Sequence, residues 1–105
     1  MTKPVTALIT GSYGGLGAAF AAEHARRGGT LILSDLNADR LEMQREELEK
    51  QYGVKVYAIP ADLSSRGETQ RLFDNCRARG LTVDRLILNA GFGDNLFNFP
   101  TFKIR

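Results

Sequence analysis

Thr10-Gly11-Ser12-Tyr13-Gly14-Gly15-Leu16-Gly17 stands between an apolar run, Val5 to Ile9, and an alanine-rich helical pattern, Leu16 to Arg27. A strand followed by a glycine-rich turn and a helix is a phosphate-binding arrangement. Glycine at 11 allows the tight strand-to-helix turn. A missing side chain at 14 or 15 lets backbone N–H groups approach a pyrophosphate, and Gly17 permits close packing of helix on strand. The helix N-terminus brings its amides and the positive end of its dipole beneath the phosphates. Neither the G-x-G-x-x-G fingerprint nor a P-loop Gly-Lys-Ser/Thr is matched. The competing reading is a glycine-rich turn without a ligand.

Working outward, Thr30 to Ser34 reads as a second strand ending at Asp35. Within the first helix, Leu16, Phe20 and His24 fall at four-residue spacing and are expected on one packed face. Asn37 can cap a second helix, Ala38 to Tyr52, whose Leu41, Leu48 and Tyr52 share a face. Val54 to Ile59 reads as a third strand. Ser65-Arg66-Gly67-Glu68 has capping-box spacing for a third helix reaching Arg79. Leu86-Ile87-Leu88 is a fourth strand, and Gly28, Gly53 and Gly80 are helix stops. Runs such as Leu31 to Leu33 and Leu86 to Leu88 are apolar at every position, which predicts strands buried on both faces. The expected fold class is α/β: a Rossmann-like parallel sheet, helices on both faces, strand order 3-2-1-4.

Asp35 supports the ligand reading. It follows the second strand, eighteen positions after Gly17, where a carboxylate can accept hydrogen bonds from the ribose hydroxyls of a dinucleotide. It would repel a 2′-phosphate, and neighbouring Leu36 and Asn37 supply no positive charge, so NAD is expected over NADP. The competing role for Asp35 is capping of the second helix.

Composition sets the outer limits. The chain has 105 residues, 43% apolar and 25% charged, with net charge +2. This is ordinary globular composition for one compact domain. Its basic residues are scattered, which argues against a nucleic-acid surface. The single cysteine, Cys76, fits a reducing compartment, and no apolar run is long enough to span a membrane. A cytoplasmic location is the expectation. His24 and Cys76 are the sole His and Cys residues, so no metal site is expected.

Taken together, Thr10-Gly-x-x-x-Gly15-x-Gly17, Asp35, Asp62-Leu63 and Asn89-Ala90-Gly91 resemble the classical short-chain dehydrogenase/reductase family. Gly11, Gly14 and Gly17 also satisfy the spacing of the family's extended branch; Asn89-Ala90-Gly91 favours the classical one. The resemblance runs from about Val5 to Gly93 and implies an oxidoreductase that transfers hydride between a nicotinamide cofactor and an alcohol or ketone. It implies that Asp62 meets the adenine amino group and that Leu63 lines the adenine pocket. Asn89 would steady the central strand, with Ala90 and Gly91 near the ribose beside nicotinamide. The candidate cofactor-binding residues are therefore Gly11, Ser12, Tyr13, Gly14, Gly15, Leu16, Gly17, Asp35, Leu36, Asp62, Leu63, Asn89, Ala90 and Gly91.

The family's catalytic serine and Tyr-x-x-x-Lys pattern do not follow. Tyr13, Tyr52 and Tyr57 each lack a lysine four residues on. No catalytic residue is therefore assigned, and whether the chain is itself an enzyme stays open. The expectation is a chain cut before the catalytic half, with 1–93 as the NAD-binding half of a Rossmann domain. The alternative is an inactive truncated module for binding or self-association. Residues 94–105 hold Leu96, Phe97, Phe99, Phe102 and Ile104. Such an apolar tail is expected to pack on the open fourth-strand side or on a partner, giving a homodimer.

Overall fold

The computed structural model describes residues 4–89. Seven elements follow one another: β1 Thr6–Thr10, α1 Gly15–Arg26, β2 Thr30–Ser34, α2 Ala38–Tyr52, β3 Val56–Ala58, α3 Glu68–Ala78 and β4 Arg85–Leu88. The strands form one parallel sheet in the order β3-β2-β1-β4. The order reverses direction between β1 and β4, and that reversal opens a crevice at the strands' carboxyl ends.

Side-chain alternation divides the core into two layers. Ala7, Ile9, Leu31 and Leu33 face α1 and α2, where Ala21, Ala25, Leu41 and Leu48 complete the layer. Leu8 and Ile32 point the other way and meet Leu72, Phe73 and Cys76 of α3, with Val83. The central strands are thus buried on both faces, as their unbroken apolar runs require. Burial pushes the Cys76 thiol up to about 11, so it stays protonated and unreactive at neutral pH.

Several local expectations are corrected. Leu86-Ile87-Leu88 is not buried on both faces: Leu86 and Ile87 are half-buried and Leu88 is 36% exposed. Among the described residues β4 is an edge strand, paired only with β1. β3 is shorter than Val54 to Ile59 because it too is an edge, although Ile59 N–H still donates to Leu33. The capping box does not form. The Ser65 hydroxyl donates instead to Asp62, a charged and stronger acceptor. The N-cap of α3 is consequently Gly67, in a left-handed conformation, φ 86°, with no side-chain cap. Asn37, not Asp35, caps α2, accepting from the Arg40 N–H at 3.0 Å.

The packed face of α1 also differs. Leu16 is 61% and Phe20 41% exposed, while Gly17, Ala21, His24 and Ala25 are buried. A helix lying this close to a sheet admits small residues beneath it and turns the large ones outward.

His24 earns its buried place by bonding: Nε2 lies 2.8 Å from the Val5 carbonyl and 3.1 Å from the Thr30 carbonyl. Both partners are acceptors, so Nε2 carries the proton. The ring ties α1 to the starts of β1 and β2. Replacing His24 with Ala is expected to destabilise the chain by about 2 kcal/mol, read as a lower denaturation midpoint. A Cβ on Gly29 would stand 2.2 Å from the same Nε2, so Gly29→Ala should cost much less in the His24→Ala background than alone.

Candidate functional site

Thr10, Ser34, Asp62 and Asn89 all stand at or just beyond the carboxyl ends of strands, around the glycine-rich turn. Three consecutive residues of that turn are held by three different elements. The Asn89 side-chain amide, beyond β4, donates to the Gly11 carbonyl at 3.2 Å, and its backbone N–H donates to the Thr10 hydroxyl. Gln44 of α2 donates from Nε2 to the Ser12 carbonyl at 2.7 Å and accepts from the Ser12 hydroxyl at 3.2 Å. Asp35, beyond β2, accepts from the Tyr13 N–H at 2.9 Å through Oδ2 and from the Leu36 N–H at 2.6 Å through Oδ1.

The glycines of the turn fall into two kinds. Gly11 has φ 63°, and a Cβ there would meet the Asn89 carbonyl at 2.3 Å. A Cβ on Gly17 would meet the Gly11 carbonyl at 2.1 Å. Packing within the protein demands both. Among the described residues, a Cβ on Gly14 or Gly15 would touch nothing within 4 Å. Gly14 has ordinary extended backbone at the N-cap of α1, and no side chain caps that helix. Neither the fold nor the backbone geometry requires glycine at 14; the surface they leave bare is the amide end of α1.

Beside it lies a cleft of about 390 Å³ lined by Gly11, Gly14, Ser34, Asp35, Leu36, Ala61, Asp62, Leu63, Ser64 and Asn89. Leu63 is buried and gives the cleft an apolar wall. The Asp62 carboxylate accepts from both the Ser64 and Ser65 hydroxyls and from the Ser64 N–H, and these bonds hold its pKa below the usual carboxylate range. It is a fixed anionic acceptor at neutral pH. A larger hollow, about 740 Å³, opens at the opposite end of the sheet among Lys55, Tyr57, Asp84 and Arg85, away from every motif residue.

The cleft and its rim thus gather most of the residues expected from sequence. Ser12 is fully buried, its hydroxyl bound to Gln44 rather than turned to the cleft. Tyr13 is exposed, and its ring lies 5.4 Å from the Arg40 guanidinium. Leu16 is exposed on the first turn of α1. Ala90 and Gly91 lie outside the described residues. Gln44 and Arg40 were not anticipated. The signal for Gln44 was a polar residue on the stripe of Leu41 and Leu48, at helical spacing; Arg40 had no signal beyond proximity to Asp35.

The family model described as short chain dehydrogenase matches residues 5–103. The chain belongs to the short-chain dehydrogenase family. It is 40% identical over 89 residues to a short chain dehydrogenase/reductase of Macrophomina phaseolina, covering 85% of this chain and 51% of the relative. It is 33% identical over 91 residues to the 3-oxoacyl-[acyl-carrier-protein] reductase of Aquifex aeolicus, covering 86% of this chain and 37% of the relative. Among solved structures, L-sorbose reductase from Gluconobacter frateurii, complexed with NADPH and L-sorbose, superposes with TM-score 0.79 at 29% identity. That match covers 85% of this chain and 34% of the reductase. The chain therefore spans about half of the first relative and about a third of the other two. What it matches is a classical short-chain dehydrogenase/reductase N-terminal segment, in a family that binds a nicotinamide dinucleotide. Among the described residues no short-chain dehydrogenase helix is long and apolar enough to cross a membrane. No group of three His, Cys, Asp or Glu residues converges as a metal site there.

Proposed function

We propose that this chain forms the adenosine- and pyrophosphate-binding side of an NAD-dependent short-chain oxidoreductase. The observation that carries the reading is the pair Gly14 and Gly15, where an added Cβ would meet nothing within 4 Å among the described residues, at the uncapped amide end of α1. When bound, the dinucleotide supplies hydride exchange with an alcohol or ketone carbon. The chain's own residues do the holding. The α1 amides receive the pyrophosphate, Asp35 the ribose hydroxyls, and Leu63 and Asp62 the adenine ring and its amino group. With no Tyr-x-x-x-Lys pattern in the sequence, the chain's contribution is binding and orientation, not proton transfer. Calorimetric titration with ADP-ribose is the test. Saturable binding that Gly14→Ala weakens about tenfold or more supports the reading, and no binding of ADP-ribose overturns it.

A second proposal concerns association. The outer edge of β4 has no strand beside it among the described residues, and Leu88 is exposed there. An open apolar edge is a template for pairing with another chain. We place a second copy of this chain on that side; the tail expected to share in the contact, 94–105, lies outside the described residues. Light scattering is expected to give a dimer mass; a monomer at all concentrations tested sinks the proposal. A cytoplasmic location is supported by the lone, unpaired thiol of Cys76.

A further inference from the structure

Of the three side chains that hold the glycine-rich turn, Gln44 alone has no counterpart among the motif residues. Both of its bonds go to one residue. Nε2 donates to the Ser12 carbonyl at 2.7 Å, and Oε1 accepts from the Ser12 hydroxyl at 3.2 Å. A planar amide that offers donor and acceptor to a matching acceptor and donor fixes a residue's rotation as well as its position. Ser12 is fully buried, and its N–H donates to the Ser34 carbonyl at 3.2 Å. Only Tyr13 separates it from Gly14, so a rotation at Ser12 passes almost directly into the amides that open α1. Gln44 occupies the half-buried stripe between Leu41 and Leu48, where an apolar side chain would pack and an amide is costly unless bonded.

We infer that Gln44 is a positioning residue: it locks Ser12 so that the amides following it keep the spacing a pyrophosphate needs, without touching the ligand itself. The ligand part of this inference rests on the dinucleotide reading above; the geometric part stands without it.

The test uses the full chain and Gln44→Met, which keeps the side-chain length and loses both hydrogen bonds. Two readouts are compared. Amide hydrogen exchange at Ser12 is expected to quicken about tenfold, the factor that ~1.4 kcal/mol represents, while Leu8 and Ile9 in β1 keep their rates. Affinity for ADP-ribose is expected to fall about tenfold, and affinity for adenosine, which lacks the pyrophosphate, to change less than about twofold. Should Gln44→Met fail to fold, Gln44→Glu, which retains the acceptor but not the donor, is read in the same way. Unchanged exchange at Ser12 overturns the inference whatever the ligands do. So does exchange that quickens equally at Leu8 and Ile9, or an equal loss of adenosine and ADP-ribose, since each reduces Gln44 to general support of the fold. If neither compound binds the unaltered chain, the dinucleotide reading falls and the exchange readout alone decides whether Gln44 holds the turn.

Discussion

Alanine at Gly11 or Gly17 is expected to destabilise the chain by about 3 kcal/mol or more, and alanine at Gly14 or Gly15 to leave stability within about 0.5 kcal/mol. All four substitutions add one methyl group within seven residues, so the contrast isolates geometry. At Gly11 the methyl would sit 2.3 Å from the Asn89 carbonyl, on a backbone with φ 63° that L side chains resist. At Gly17 it would sit 2.1 Å from the Gly11 carbonyl. Both obstacles are backbone atoms in the middle of the sheet–helix junction and have nowhere to retreat. A domain of this size is stable by only about 5–15 kcal/mol, so either change removes a large share. At Gly14 and Gly15 the methyl enters open space. Urea unfolding of the four variants measures the difference. Equal losses at all four positions would show that Gly14 and Gly15 are structural too, and would remove the observation on which the functional proposal rests.

NAD is expected to bind more tightly than NADP by about 3 kcal/mol, roughly a hundredfold. Asp35 stands at the end of β2 with Oδ2 bound to the turn at Tyr13 and Oδ1 to Leu36. Those bonds fix the carboxylate beside the cleft, so a 2′-phosphate would have to approach an anion that cannot swing away. Arg40, five positions on, lies against the Tyr13 ring, 5.4 Å from its centre. The L-sorbose reductase neighbour, by contrast, is complexed with NADPH. Asp35→Ser removes the repelling charge and leaves Arg40 in place, so in that variant the preference should shrink to threefold or less, or reverse. Titrating both proteins with both cofactors settles it; tighter NADP binding by the unaltered chain would refute the role given to Asp35.

The strand order and the form of the glycine-rich turn were legible because each rests on a strong, local signal. Unbroken apolar runs at Leu31 to Leu33 and glycine spacing at 11, 14, 15 and 17 can be satisfied in few ways. The misreadings share a cause: competition between distant groups. Ser65 looked like a helix cap until Asp62 offered it a charged acceptor. Leu16 and Phe20 looked like the packed face of α1 until the closeness of the sheet selected Gly17, Ala21 and Ala25 instead. The partner of the Ser12 hydroxyl, Gln44, lies 32 positions away and could not be read from the turn itself. Helical spacing marks which residues share a face but not which face the sheet will take. Hydrogen-bonding capacity marks a candidate partner but not the winner among several.

The bond from Asn89 to Gly11 spans 78 positions of sequence, and β1 pairs with β4 across a similar gap. Pairing of β1 with β2 spans only 24. Closing the longer loop carries the larger entropic penalty and comes later on average, so the β1–α1–β2 unit can assemble before β4 docks. The glycine-rich turn would then exist for part of the folding time without its Asn89 tether. The site is finished by the last strand to arrive. Where β4 docks after the folding barrier, a nucleotide that needs the finished turn acts by slowing the departure of β4, and its stabilising effect then belongs to the unfolding rate rather than to the speed of folding.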